Sequence, residues 1–159
     1  TSSTMSTAYT YNDYTHTSDL CHDGDLQTWC FADNLQHPFL ELVFPVTYVH
    51  KVLLVNRYCD DRDEATRRRI RERINGAKVD LFNGEDQIKW CGTVSTDTEK
   101  ETFWLDCGAT GTAIRISVQR IDYLNLGEVV IYTLGNFQKF TIAKYLNFAQ
   151  LLNCSIAPV

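Results

Sequence analysis

From Phe39 to Tyr132 the sequence is a succession of short β-type runs separated by turn signals, and no other feature limits the fold as tightly. The clearest run alternates Ile114, Ile116 and Val118 with Arg115, Ser117 and Gln119, which predicts a strand with one buried and one wet face. Phe39 to Phe44 is apolar and aromatic between Pro38 and Pro45, while Val49 to Val55 is rich in branched residues and stops at Asn56. Ala77 to Phe82 alternates and runs into Asn83-Gly84, a tight-turn signal. Thr102 to Cys107 and Leu126 to Tyr132 are two further apolar segments. Short strands at this spacing, with few helical periods and no internal repeat, predict an all-β sandwich or barrel.

Two stretches break the β pattern. Asp60 to Glu72 reads DDRDEATRRRIRE, acids first and bases later, with neither Gly nor Pro. The pairs Asp63 with Arg67 and Glu64 with Arg68 have the favourable i,i+4 order, and the charge gradient suits a helix dipole. A short surface helix or a charged loop is expected there. From Lys139 onward, Ile142, Leu146, Ala149 and Leu152 recur at helical spacing, so the tail is read as a C-terminal helix, docked or partner-seeking. The chain thus divides into a domain over 1–135 and an extension over 136–159.

The chemistry excludes several classes. Six cysteines without a CxxC pair argue against a zinc ribbon or a thioredoxin motif and for disulfides, hence for a secreted, extracellular setting. A net charge of −5 argues against a duplex nucleic-acid partner. No apolar run is long enough to cross a bilayer. Thr1 to Ser6 is polar and lacks a signal peptide, as expected of a mature domain. No GxSxG, HExxH, P-loop or dinucleotide fingerprint occurs, and Asp60-Asp61 lies in a run of alternating charge, where solvated ion pairs are the ordinary explanation. The expectation is a binding domain, not an enzyme. Asn153-Cys154-Ser155 formally fits a glycosylation pattern, a weak signal with cysteine in the middle.

Three segments, in order, carry a resemblance. The first is Leu20 to Trp29, LCHDGDLQTW. The second is Val49 to Arg57, VHKVLLVNR, resumed after the charged segment by RINGAKV over Arg73 to Val79. The third comprises Cys91-Gly92, Phe103 to Cys107 and LNLGEVVIY over Leu124 to Tyr132. Together they resemble the F-type lectin (fucolectin) domain of the galactose-binding-like, discoidin superfamily, over roughly residues 15–133. The resemblance implies a jelly-roll β-sandwich.

It also bears on a metal. Asp23 and Asp25 flank Gly24, which permits a sharp bend, and Thr28 offers a carbonyl and a hydroxyl nearby, a set of oxygens that suits a hard cation. The resemblance adds Glu128 with the carbonyls of Gly127 and Leu20, and implies a structural calcium ion. It further implies a Cys91–Cys107 disulfide. Cys21, Cys30, Cys59 and Cys154 do not map cleanly: the family partner of Cys30 would stand where this chain has Gly127. Their three pairings stay open.

Fucose-binding members resemble a simple device in which a histidine and two arginines donate to sugar oxygens. Arg57 and Arg73 match the arginines, 16 positions apart because the charged segment intervenes. Cys59 and Asp60 fall where the family often has two adjacent cysteines against the sugar. The histidine position holds Ala32; His37 precedes Pro38, and His22 belongs to the presumed calcium loop. The expected function is recognition of a glycan or cell-surface glycoprotein, fucose-like or altered. The competing expectation is a protein–protein adhesion domain that has lost the sugar site. Membrane insertion through Phe31, Leu35 and Phe39 has little support, and the oligomeric state is open.

Overall fold

A computed structural model describes residues 1–57, 63–95 and 101–133. The extension over 136–159, with its expected helix, lies outside the described residues, as do Cys59, Asp60 and Cys154. The elements are β1 (Ser2–Met5), β2 (Thr10–Tyr11), β3 (Tyr14–Thr15), a 3₁₀ turn (Ser18–Cys21), β4 (Cys30–Gln36), β5 (Phe39–Asn56), α1 (Glu64–Glu72), β6 (Lys78–Asn83), β7 (Asp86–Thr93), β8 (Thr102–Ser117) and β9 (Ile121–Thr133).

The β-type runs are real, but several are halves of longer strands. Phe39 to Phe44 and Val49 to Val55 both belong to β5, and Thr102 to Cys107 joins Ile114 to Ser117 in β8. Pro45 does not end β5, because it sits in the register break between Val43 and Thr47, where a missing N–H costs no ladder bond. These breaks let β5 and β8 serve two layers. One layer runs β4–β9–β5–β8, using the later half of β5 and the earlier half of β8. The other runs β1–β5–β8–β6–β7, using the opposite halves. Bulged strands that change sheet are how such a corner is made.

Both layers feed one core. Leu40, Leu42, Val79, Leu81, Ile114 and Ile116 from one side meet Val52, Leu54, Leu124, Leu126, Val129 and Ile131 from the other. The alternation of Ile114, Ile116 and Val118 with Arg115, Ser117 and Gln119 holds except at Ser117: Gln119 is exposed and Arg115 partly so. Ser117, the last residue of β8, is buried because it is flanked on both sides, by Phe39 of β5 and Lys78 of β6. Arg115 is half-covered, paired with Glu41 at 2.7 Å and lying over Phe39 and Phe82.

The charged segment does form a helix, α1, with different contacts from those expected. Asp63 is spent as the N-cap, its carboxylate accepting from the Thr66 N–H at 3.0 Å, so it does not pair with Arg67. Glu64 pairs with Arg67 at 3.1 Å and Arg68 with Glu72 at 3.0 Å. Ile70 and, just after the helix, Ile74 are its buried anchors.

The Cys91–Cys107 disulfide is present and joins β7 to β8. A second disulfide joins Cys21 to Cys30, closing a loop that the sequence left open.

Gly111 lies where β8 changes layer, and a Cβ there would come within 2.5 Å of the Phe82 carbonyl oxygen and 2.7 Å of Leu81 Cδ1. The Gly111→Ala variant is therefore expected to lose about 1–3 kcal/mol through overpacking against fixed backbone. Urea unfolding read by tryptophan fluorescence checks this; an unchanged midpoint would contradict the tight crossing.

Candidate functional site

Two constructions meet at one edge of the sandwich: a loop of oxygens closed by Cys21–Cys30, and an aromatic pocket immediately after it. The loop begins as the 3₁₀ turn ends. Gly24, at φ +81°, makes the bend between the two aspartates. Asp23 Oδ1 accepts from the Asp25 N–H at 2.8 Å, and Asp25 Oδ1 accepts from the Gln27 N–H at 2.9 Å. Three acceptors then surround the Thr28 hydroxyl: Asp23 Oδ2 at 2.8 Å, Asp25 O at 2.8 Å and Leu20 O at 3.4 Å. A hydroxyl has a single hydrogen to donate, so it cannot serve all three.

Glu128 approaches from β9. It is fully buried, and its Oε2 accepts from the Gly24 N–H at 3.1 Å. Burial pushes its carboxyl up to about 8, opposed by the Gly24 hydrogen bond and reinforced by the Asp23 charge. Leu20, Asp23, Asp25, Thr28 and Glu128, expected together, are thus brought together. Gly127 sits in the bulge of β9 opposite Val55 and Asn56, with its Cα hydrogens close against the Asn56 carbonyl. Among the described residues no cluster of three or more His, Cys, Asp or Glu side chains could hold a metal. A cation here would have to use main-chain carbonyls and the hydroxyl, and the donor set is of that kind: hard, all oxygen and over-supplied with acceptors.

The pocket is built on residues flanking this loop. The N-terminal segment is tied to β4 by three main-chain bonds, Tyr9 N–H to Phe31 O at 2.7 Å, Phe31 N–H to His16 O at 3.2 Å and Asp33 N–H to Thr7 O at 2.8 Å, and is closed on itself by His16 N–H to Tyr9 O at 3.0 Å. Between Tyr9 and His16 the chain makes the β2–β3 hairpin, whose tip residues Asn12 and Asp13 both have positive φ, 47° and 64°. Asn and Asp tolerate that region better than other side chains. The hairpin delivers His16 against Trp29, the rings stacked at 5.2 Å. Arg57, at the end of β5 and 7% exposed, lays its guanidinium 4.0 Å from the Trp29 ring centre. Arg73, just beyond α1, lies 4.5 Å over Tyr123 and 5.4 Å over Phe31. Cations over aromatic faces are attracted to the ring quadrupole.

These side chains enclose a cavity of about 480 Å³, with Tyr9 and Tyr11 on its rim. His16 Nδ1 lies 3.3 Å from the Trp29 carbonyl. A carbonyl only accepts, so in the neutral ring Nδ1 carries the hydrogen and Nε2 is left as an acceptor. Burial, and then the nearby Arg57 charge, hold the imidazole below its ordinary range against that hydrogen bond, which favours the neutral ring at pH 7. The pocket therefore offers two charged donor groups, one ring acceptor and aromatic walls. Asn125, across from Phe31 and on the Tyr123 side of β9, is fully buried with neither amide atom bonded to a protein group among the described residues.

Arg57 and Arg73, whose convergence the sequence left open, line one cavity despite the helix between them. Cys59 and Asp60 fall outside the described residues. Ala32 does not face the pocket; it is packed in the core, because its neighbour Phe31 takes the pocket side of β4. His22 Nε2 is 2.8 Å from Ser3 Oγ, and His37 is exposed at a positive-φ turn, so neither enters the pocket. His16 does, and the sequence reading missed it. Its available signal was Asn12-Asp13 between two Tyr/Thr pairs, a hairpin cue directly before the histidine. Phe31 is buried in the pocket wall and Phe39 lies under Arg115, while Leu35 is exposed.

No protein-family model and no curated protein matches the sequence. Solved structures do match by shape. A fucose binding module from Streptococcus pneumoniae, SpX-3, superposes with TM-score 0.68 at 17% identity, covering 84% of this chain and 94% of that one. The lectin domain of lectinolysin, solved with Lewis B antigen, gives 0.69 at 14% identity, covering 84% and 93%. A fucolectin from Morone saxatilis serum gives 0.65 at 19% identity, covering 83% of this chain and 45% of that one. With two bulge-linked layers, a disulfide-closed loop and these neighbours, this chain has the galactose-binding-like, discoidin-type β-sandwich fold of fucose-binding modules and fucolectins.

Proposed function

We propose that this chain is a secreted, non-catalytic glycan-binding module that seats a fucose-type sugar in the aromatic pocket. The observation that carries the reading is the convergence of His16, Arg57 and Arg73 on one cavity. Two arginines and a histidine are the residue set implied by the family resemblance; the histidine comes here from the N-terminal hairpin and, with Nδ1 toward the Trp29 carbonyl, presents an acceptor where the resemblance implies a donor. Arg57 and Arg73 donate to ring and hydroxyl oxygens; charged donors make short, geometrically strict bonds. His16 Nε2 accepts from a sugar hydroxyl, and the aromatic walls meet the apolar edge of the ring. The fold neighbours include proteins described as fucose-binding and one solved with a Lewis antigen, which supports this ligand class. Two disulfides support an oxidising, extracellular setting. No helix among the described residues is long and apolar enough to cross a membrane.

The oxygen loop is proposed to hold a structural calcium ion through Leu20, Asp23, Asp25 and Thr28, with Glu128 and the Gly127 carbonyl completing the set from β9. The ion would supply positive charge that keeps the buried Glu128 carboxyl ionised and relieves the crowding of acceptors about the Thr28 hydroxyl.

A glycan array is expected to give saturable binding to fucosides, lost in Arg57→Ala or Arg73→Ala. His16→Ala should weaken binding about 10- to 100-fold, the scale of one lost hydrogen bond in a shielded pocket. Silence across fucosides and galactosides would move the assignment to protein recognition. Affinity should fall on acidification between about pH 7 and pH 5, as protonation turns the His16 acceptor into a donor and sets a second cation beside Arg57. A His16→Gln variant should lose that dependence, which titration calorimetry across the range checks. Millimolar calcium should raise the melting temperature by several degrees over a chelator-treated sample, because an ion bound only by the folded chain stabilises it by mass action. Asp23→Asn should abolish the difference; equal melting with and without chelator in the unmodified protein would remove the calcium site.

A further inference from the structure

Beside the aromatic pocket, and sharing Arg73 and Tyr123 with it as a common wall, lies a second groove of about 760 Å³. It is lined by Arg69 and Glu72 on the last turn of α1 and by Asn34, Ile121 and Asp122. Both volumes fall in the range of ligand-sized clefts, and the two adjoin at Arg73 and Tyr123.

The groove is held in shape by Arg120. Its Nε donates to Asp122 at 2.8 Å, its Nη2 to the Arg73 carbonyl at 3.0 Å and its Nη1 to the Asn75 carbonyl. One side chain thus ties the turn after α1 to the start of β9. Gly76, at φ +76°, closes that turn, and a Cβ there would lie 3.5 Å from Arg120 Nη1. The wall is braced before any ligand arrives, which lowers the ordering cost of binding.

The chemistry of the groove is polar and nearly charge-balanced. Asp122 is occupied by Arg120 and by the Tyr123 N–H at 2.8 Å, and Glu72 Oε1 by Arg68 at 3.0 Å. Arg69 is exposed on the groove side of the helix, the Asn34 amide offers a donor and an acceptor, and Ile121 is 70% exposed as an apolar step. Donors, acceptors and a small apolar surface suit a neutral pyranose better than an anion or a hydrocarbon.

We propose that this groove is a second sugar subsite, so that the module recognises a neutral oligosaccharide with its fucose in the aromatic pocket and the next unit against α1. The inference rests on the glycan-binding reading above. It assigns the charged segment between Arg57 and Arg73 a function: the helix lengthens the site and selects for what the fucose is attached to.

Titration calorimetry with methyl α-L-fucoside and a panel of neutral fucosylated tri- and tetrasaccharides of differing linkage tests it. At least one oligosaccharide should bind about tenfold or more tighter than the monosaccharide. Arg69→Ala and Ile121→Ser, both at exposed positions, should each remove most of that gain while leaving the monosaccharide affinity within about twofold. The groove is refuted if the monosaccharide binds and no oligosaccharide binds tighter, or if the variants weaken both ligands alike. Absence of binding to every sugar refutes the glycan-binding reading itself, and the groove with it. Melting curves of the two variants, expected to overlay the parent's, separate lost contacts from lost fold.

Discussion

The antiparallel pairing of β5 with β8 is the constraint on which the remaining architecture depends. It runs from Phe39 opposite Ser117 to Val55 opposite Thr102, interrupted by register shifts between Val43 and Thr47 and between Val49 and Lys51. Without the shifts, two strands of 18 and 16 residues would make one long twisted ribbon with a single apolar face. With them, the ladder turns at the breaks, so Leu40 and Leu42 look across the core at Val52 and Leu54 of the same strand's other half. The close approach of Gly111 to Phe82 marks the inside of that turn. Apart from the β2–β3 hairpin, the other strands extend one half or the other of this pair, which is why a single ladder determines both layers.

The same ladder explains how a site can tolerate a helix inserted through its middle. Arg57 follows the last residue of β5, and its main chain is tied back by its N–H donating to Asn56 Oδ1 at 2.9 Å. Asn56 Nδ2 in turn donates to the Arg71 carbonyl at 3.0 Å, and Ile70 and Ile74 bury themselves under the helix. The excursion therefore leaves and re-enters the sheet at points held by hydrogen bonds and apolar contacts. Extra length in a surface connection costs little closure entropy once its ends are held. Arg73 arrives beside Arg57 because the ends are fixed, whatever the number of residues between them.

What could be read from sequence divides along a physical line. Periodicity located most of the strands, since alternation at Ile114, Ile116 and Val118 reports a buried face directly. It did not reveal that Phe39–Phe44 and Val49–Val55 are one strand, because a bulge that absorbs Pro45 looks locally like a strand end. The apolar runs also concealed β4 and β7: β4 carries only three buried residues at its start, and β7 is largely exposed, so neither has a strong pattern to detect. Motif order picked out Asp23, Asp25, Thr28 and Glu128, which the fold gathers at the loop, and Arg57 and Arg73, which line the cavity. It failed at His16, because that residue reaches the pocket through a hairpin outside the motif-bearing segments. The search at Ala32 looked on β4, where the side-chain alternation had already assigned the pocket side to Phe31. Cross-strand placement from a separate segment leaves no trace in local spacing.

The loop and the pocket are joined by one residue, and that junction bears on why an ion would matter to recognition. The disulfide between Cys21 and Cys30 closes a short loop with the Asp-Gly-Asp bend near one end and Trp29 at the other. Thr28, whose hydroxyl is shared among three acceptors, directly precedes Trp29, and the Trp29 ring carries His16 at 5.2 Å and Arg57 at 4.0 Å. Moving Thr28 therefore moves the surface on which a ring acceptor and a charged donor both rest. Hydrogen-bonding groups must be placed to a few tenths of an ångström to discriminate between sugar epimers. Leu20 and Leu26 anchor the loop on the apolar clusters, but the bend between them is exposed at Asp23 and Asp25. Glu128 reaches that bend as a fully buried carboxyl from β9, the strand that also provides Tyr123 to the pocket. A cation bridging the loop and Glu128 would fix Trp29 against the same strand that positions Tyr123. Under the proposed function, the metal then acts at a distance from the sugar, through the one indole that both constructions share.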